Sequence, residues 1–234
     1  MIRRFVELIY PRKCVLCRRI LPKEETDLCR SCRTDQPEYP YGKKKVPHVS
    51  DLTALWLYQG HAAGSLKRYK FGRCRHYAQV YGRLLAMRIH RDLPMADVVT
   101  WVPVSRKRRR ERGFDQVELL ANAVAPELGI PAEALLEKYR DNRANSGLRT
   151  PEERRANVLG VYRAAAPDRI AGKRVLLLDD IVTTGATISE AARALMKAGA
   201  DSVYGFAAAA RDWEGPERRG ERQPEKARRE DKDI

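Results

Sequence analysis

The sequence predicts an α/β domain built on a parallel sheet, preceded by a small cysteine-rich unit. Three observations lead there. Apolar, β-branched runs at Asp97–Val104, Val175–Leu178 and Ser202–Ala210 are short for helices and read as buried strands. Segments with apolar residues at helical spacing lie between them, and strands that alternate with helices imply parallel pairing through crossovers. Two Cys-x-x-Cys pairs, Cys14 with Cys17 and Cys29 with Cys32, precede all of this.

Residues 1–45 hold a short apolar segment (Phe5–Ile9), the cysteine pairs and a linker interrupted by Pro37, Pro40 and Gly42, so a boundary is expected near residue 45. Leu52–Tyr58 is strand-like. Tyr77, Tyr81, Leu84, Leu85 and Ile89 recur at the helical period, as do Phe114, Val117, Leu120, Val124 and Leu128, where Gly129 is placed to end the helix. Tyr139–Tyr162 is polar and carries no clear period. Thr187–Ala198 sets Ile188, Ala191, Leu195 and Met196 on one face, closed by Gly199. After Trp213 the apolar pattern vanishes. The expected organisation is a zinc-binding unit at 1–45, an α/β domain at 46–213 and a disordered charged tail at 214–234.

Composition narrows the partners. The chain has 234 residues, 43% of them hydrophobic, which is enough for a packed core. No window approaches the roughly 18 uninterrupted apolar residues of a membrane helix. The segment near Met1 lacks a small-residue cleavage site, so secretion is not expected and a cytoplasmic location is. Lys and Arg number 46 against 31 Asp and Glu, a formal charge of +15. The last twenty residues hold 7 basic and 6 acidic side chains, so the surplus belongs to the folded part. Such a field favours anionic partners: polyphosphates, nucleic acid or acidic lipids.

Cys14, Cys17, Cys29 and Cys32 can close tetrahedrally on one structural Zn2+, because a two-residue gap turns both sulfurs of a pair toward a common point. A redox motif would need only one pair. Cys74, between Arg73 and Arg75, is read as packing, and Trp101 as buried in its strand.

The segment richest in chemistry is Val175–Thr187, VLLLDDIVTTGAT. A buried strand delivers Asp179 and Asp180 to its carboxyl end, where open α/β sheets place their ligands. Thr183, Thr184, Gly185, Ala186 and Thr187 then form a tight turn opening a helix, whose amides and dipole make an anion cradle. The carboxylates suit vicinal ribose hydroxyls, directly or through Mg2+. A P-loop ATPase is excluded, since neither Gly42-Lys43 nor Gly172-Lys173 has a glycine five places earlier or Ser/Thr after it.

This stretch resembles the phosphoribosyl diphosphate (PRPP) signature of type I phosphoribosyltransferases. The whole chain resembles the ComF family, in which a four-cysteine finger precedes a phosphoribosyltransferase-like domain. Val102–Ser105, the run Arg112-Gly-Phe-Asp-Gln116, and Arg154 with Asn157 before Val158–Tyr162 support the match. Where the family commonly carries glutamine before x-x-Leu, this chain has Asn145 before Leu148. The resemblance implies that Asp179 and Asp180 hold the ribose hydroxyls of PRPP and that Thr183–Thr187 hold its 5′-phosphate. It places Val104 and Ser105 in or near the pyrophosphate loop.

Directly afterwards, Arg106–Arg112 carries six positive charges in seven residues. A solvated loop is one reading. In a second, arginines such as Arg106 and Arg112 neutralise departing pyrophosphate. In a third the run grips a nucleic-acid backbone, with Tyr69, Phe71 and Tyr77 as stacking faces for unpaired bases. Two functions are therefore expected. One is PRPP/Mg2+ binding with phosphoribosyl transfer to an unknown acceptor. The other, implied by the ComF resemblance, is a non-enzymatic role in DNA uptake or utilisation, with single-stranded DNA or a helicase as partner.

Overall fold

The computed structural model describes residues 11–36, 38–39, 44–72, 74–140 and 150–211. The Phe5–Ile9 segment, the Asn145–Leu148 stretch and the tail from 214 lie outside those residues. In chain order the strands are β1 (Lys44–Val46), β2 (Val49–Leu57), β3 (Val98–Trp101), β4 (Leu136–Lys138), β5 (Tyr162–Ala164), β6 (Arg174–Val182) and β7 (Ser202–Ala210). The helices are α1 (Arg30–Asp35), α2 (Gly60–Phe71), α3 (Tyr77–Asp92), α4 (Arg106–Arg112), α5 (Gln116–Leu128), α6 (Pro151–Val158) and α7 (Ala186–Lys197).

The main sheet has the order β1-β2-β7-β6-β3; only β1 runs antiparallel, against β2. β4 and β5 form a separate antiparallel ribbon. The expected α/β class with a mostly parallel sheet is what the chain adopts. β6 is longer than its apolar core: it continues past Leu178 to Val182, because β7 keeps pace with it as far as the Val182–Ala210 pair. Asp179 and Asp180 thus sit within the last turns of the pleat rather than after it.

Strand alternation explains the layers. Leu176 and Leu178 enter an apolar cluster with Tyr69, Tyr81 and Leu120 from α2, α3 and α5, whereas Val175 and Leu177 face Ile188 and Leu195 of α7 and Leu136 of the ribbon. Leu176, Leu177 and Leu178 are at most 1% exposed, and each contributes about 1.5–3 kcal/mol by burial. Val15, Leu16, Leu21 and Leu28 of the cysteine unit join the first cluster, so that unit shares a core with α2 and α3.

α3 and α5 meet at Gly82, where an added Cβ would stand 2.7 Å from both the Cβ and the carbonyl oxygen of Ala123. Backbone cannot yield as a side-chain tip can. Gly82→Ala is therefore expected to cost about 1–3 kcal/mol by overpacking, read as a lowered urea midpoint at unchanged slope; an unshifted midpoint would contradict the close approach.

Both margins of the sheet are occupied or short. β1 is three residues long and carries Lys44 and Lys45. Along β3, Val99 exchanges hydrogen bonds with the 131–133 segment, donating to the Pro131 carbonyl and accepting from the Glu133 amide.

The arginine run is a helix, not a loop. The Ser105 hydroxyl caps α4 by accepting the Arg108 amide, and Gly113 ends it in the left-handed conformation. Arginine favours helix intrinsically, and the Arg109–Glu118 ion pair at 2.9 Å relieves part of the repulsion. Tyr69 and Tyr77 are also not stacking faces. They are 0% and 8% exposed, because Tyr69 packs edge-on to Tyr81 and donates its hydroxyl to the Gln116 carbonyl at 2.6 Å. Phe71 is 69% exposed.

Candidate functional site

Successive residues of a strand point to opposite faces, and this splits the acid pair. Asp180 shares the face of Leu178, toward α2 and α5. Its Oδ2 accepts from Lys70 Nζ at 2.9 Å and from Gln116 Nε2 at 2.7 Å. Asp179 shares the face of Leu177, and its Oδ1 accepts the Asp180 amide at 2.8 Å. Both carboxyls are more than nine-tenths buried. Burial and the adjacent Asp180 charge push Asp179 up to about 8. Burial also acts on Asp180, but the Lys70 ammonium, the Gln116 amide and Arg112 outweigh it and hold this carboxyl below its ordinary value. The surroundings thus drive the two carboxyls apart, Asp179 toward its neutral form and Asp180 toward its charged form.

This asymmetry sets a pH dependence. The folded chain keeps a proton on Asp179 that the unfolded chain releases near pH 4, so Asp179 makes stability fall as pH rises from about 4 to about 8. Asp180 contributes stability that is lost only below the ordinary carboxylate range, outside that window. In urea unfolding at pH 5 and pH 8, Asp179→Asn should lose less stability on the alkaline step than the wild type. Parallel profiles would refute the assignment.

The threonine-glycine turn connects β6 to α7. Gly185 caps α7 with φ +84°, and a Cβ there would meet Val46 Cγ1 at 2.6 Å. The Thr184 hydroxyl accepts the Ala186 amide at 3.3 Å. The Arg112–Gln116 stretch forms the joint between α4 and α5. Phe114 is buried under the Arg75 guanidinium, 4.9 Å from its ring centroid. Asp115 caps α5 by accepting the Val117 and Glu118 amides, and its other oxygen accepts the Val104 amide at 3.0 Å. That bond fixes the turn after β3 to the start of α5, whose first residue, Gln116, holds Asp180.

These elements enclose a cavity of about 920 Å3 at the carboxyl ends of β2, β3, β6 and β7. Of the residues expected from the sequence, Asp179, Asp180, Thr183, Gly185, Ala186, Thr187, Val104 and Arg112 line it. Thr184 and Ser105 act as local caps. Arg106 points instead to a smaller hollow beside Glu137, Tyr139 and Arg163. The sequence reading missed Lys70, Arg108, Gln116, Lys138, Tyr162 and Arg211, all on the cavity wall. Of these, Gln116 and Tyr162 stood in quoted motifs and Arg108 in the arginine run, without a cavity role of their own. Eight basic side chains line the cavity against two acids: Lys67, Arg68 and Lys70 from α2, Arg108 and Arg112 from α4, and Lys138, Arg154 and Arg211. Helical spacing divides the arginine run, turning Arg108 and Arg112 inward and leaving Arg106, Lys107, Arg109 and Arg110 exposed. Arg112 is held in place, 5.1 Å over the Phe71 ring.

The four thiols of Cys14, Cys17, Cys29 and Cys32 lie within 4.8 Å of one another. Cys17 and Cys29 sulfurs are 3.6 Å apart, close to the roughly 3.8 Å edge of a tetrahedron with Zn–S bonds of about 2.3 Å. The donor set fits Zn2+, with no position left for substrate.

Residues 5–42 match the double zinc ribbon domain family, and residues 118–228 match the phosphoribosyl transferase domain family. Competence protein F of Haemophilus influenzae is 25% identical over 224 residues, covering 84% of this chain and 97% of that protein. Competence protein ComFC of Streptococcus pneumoniae is 33% identical over 153 residues, 65% of each chain. The chain is similar to ComF proteins along most of its length. A DNA utilization protein YhgH of Salmonella typhi shares 28% identity with this chain over 200 residues, 81% of this chain and 86% of that protein. The glutamine PRPP amidotransferase of B. subtilis superposes on it with a TM-score of 0.43 at 24% identity, over 61% of this chain and 30% of that one. The two family matches join a zinc ribbon to a phosphoribosyltransferase-type domain in one chain. Among its described residues no helix is long and apolar enough to cross a membrane.

Proposed function

We propose that the cavity binds PRPP together with Mg2+ and that the protein transfers the phosphoribosyl group to an acceptor. The observation that carries this reading is the convergence of an acid pair, a helix-opening turn and eight cations on one hollow. The turn Thr183–Thr187 would take the 5′-phosphate with its amides and the positive end of α7. Asp179 and Asp180 would take the ribose hydroxyls. Arg108 and Arg112 line the same cavity and would neutralise the charge that gathers on departing pyrophosphate. The Asp180 carboxylate and the Asp179 carboxyl oxygens would hold Mg2+, which would supply positive charge beside that leaving group. A reducing compartment such as the cytoplasm suits the four thiolates.

A second reading, a role in DNA handling, is supported by the outward row Arg106, Lys107, Arg109 and Arg110 and by the relatives named for competence and DNA utilization. Calorimetry separates the two. PRPP with Mg2+ and single-stranded DNA are each titrated at two salt concentrations into wild type and Asp179→Asn/Asp180→Asn. Loss of PRPP binding with DNA binding intact and steeply salt-dependent is the result expected if both sites exist. Absence of PRPP binding to the wild type would end the transferase reading.

A further inference from the structure

The helix that brings Lys70 to the cavity also grips the zinc centre. The Ser65 hydroxyl donates to the Val15 carbonyl at 2.5 Å, and Arg68 Nη2 donates to the Leu16 carbonyl at 2.5 Å and to Val15 at 3.3 Å. Both carbonyls lie between Cys14 and Cys17, in the bend that brings those two sulfurs together. Ser65 is completely buried. Its single proton goes to Val15, so the Tyr81 hydroxyl, 2.6 Å away, donates to it. Roughly 8 Å further along the same helix, Lys70 Nζ meets Asp180, while Tyr69 ties the helix to Gln116, the other donor to Asp180.

We infer that the four-cysteine centre positions the anion cavity: the Cys14–Cys17 bend fixes α2 through Ser65 and Arg68, and α2 fixes Lys70 against Asp180, so that the state of the metal site sets the affinity for a sugar phosphate. The inference rests on the reading of the cavity given above. Its physical chain is short. Two sulfurs on one ion close the bend and aim both carbonyls at α2. Without metal, the bend loses the ligand bonds that shape it, and α2 loses its two acceptors together. Lys70 then slackens, leaving a buried carboxylate with Gln116 alone and removing one cation from the wall that faces the ligand. Arg68 takes part at both ends. It also lines the cavity.

Ser65 does not line the cavity, which makes it the discriminating position. The test is a double-mutant cycle on zinc-loaded full-length chain, with ribose 5-phosphate as the probe: wild type, Ser65→Ala, Lys70→Met and the double variant, each checked for one zinc per chain. Ser65→Ala should weaken binding about three- to tenfold and Lys70→Met at least about tenfold. The double variant should bind no more weakly than Lys70→Met, because Ser65 acts through Lys70. Additive losses, or an unchanged affinity for Ser65→Ala, would overturn the inference. A reciprocal measurement uses the unaltered chain. By linkage, saturating ribose 5-phosphate must strengthen retention of zinc against a chromogenic chelator, and no change would overturn it equally. If ribose 5-phosphate binds none of the four proteins, the reading of the cavity fails instead. The clamp is then read from amide exchange: Ser65→Ala must still speed exchange in the last turn of α2 and the first turn of α5, and unaltered exchange refutes it.

Discussion

Gly185→Ala should weaken PRPP binding by one to two orders of magnitude while the chain remains folded. Two costs coincide at this residue. Its φ of +84° lies in the left-handed region, where a non-glycine residue is strained by about 1–3 kcal/mol. Its new Cβ would also stand 2.6 Å from Val46 Cγ1. Val46 lies on β1, the three-residue margin of the sheet, so it can retreat, and the stability loss should stay near the strain alone. The turn has no such freedom. Tilting Gly185 redirects the amides at the start of α7, and an anion cradle works only when those amides converge. Adding Val46→Ala makes room for the methyl group but leaves the backbone strain, so it should recover neither the affinity nor most of the lost stability. Calorimetry with PRPP/Mg2+ and urea unfolding on the three proteins check this. Wild-type affinity in Gly185→Ala would mean that the phosphate does not sit on these amides.

Removal of zinc should lower the melting temperature of the entire described chain, by about 10 °C or more, in one cooperative step. A structural four-thiolate zinc carries folding free energy on the order of 10 kcal/mol in isolated fingers, and at this chain length each kcal/mol shifts melting by about 2–4 °C. An appended module would melt by itself and leave the rest unchanged. Here Cys14, Cys29, Cys32, Val15 and Leu16 belong to the same apolar cluster as Tyr69, Tyr81 and Leu120. Outside the cluster, an Arg83–Asp27 ion pair at 2.5 Å ties the cysteine unit to α3. Calorimetric scans before and after chelation, with zinc measured in the eluate, test this. A second, separate low-temperature transition with the main one unmoved would show that the unit is energetically independent.

The parts of the fold that could be read from sequence are those with a strong local period. β6 and β7 announce themselves by apolar runs, and α3, α5 and α7 by one-sided apolar stripes, the last two with a glycine stop. α2 was not read because Gly60, Gly64 and interleaved lysines and arginines dilute its stripe; its buried side is Ala62, Ser65, Leu66 and Tyr69. β1, β4 and β5 are three residues each, too short to show alternation. α6 had a local signal that went unused. Thr150 and Glu153 form a reciprocal capping box with Pro151 at the first position. The same logic governs the site. Asp179, Asp180 and the turn are contiguous and carry their chemistry in plain order. Lys70 and Lys138 reach the cavity only because the sheet and the ribbon bring distant segments together, and no spacing rule anticipates that. The arginine run shows a subtler limit. Its charge was obvious, but only the helix decides that Arg108 and Arg112 turn inward while their neighbours turn out.

The boundaries of the sheet constrain how other polypeptides can join it. A strand arriving beside β1 finds a ladder only three residues long, flanked by two lysines, and one arriving beside β3 finds Val99 already bonded to the 131–133 segment. Backbone-to-backbone annexation, the commonest route to fibrils and to strand exchange between copies, is thereby blunted at both ends. At these two margins of the main sheet, a polypeptide partner is expected to be recruited by side chains.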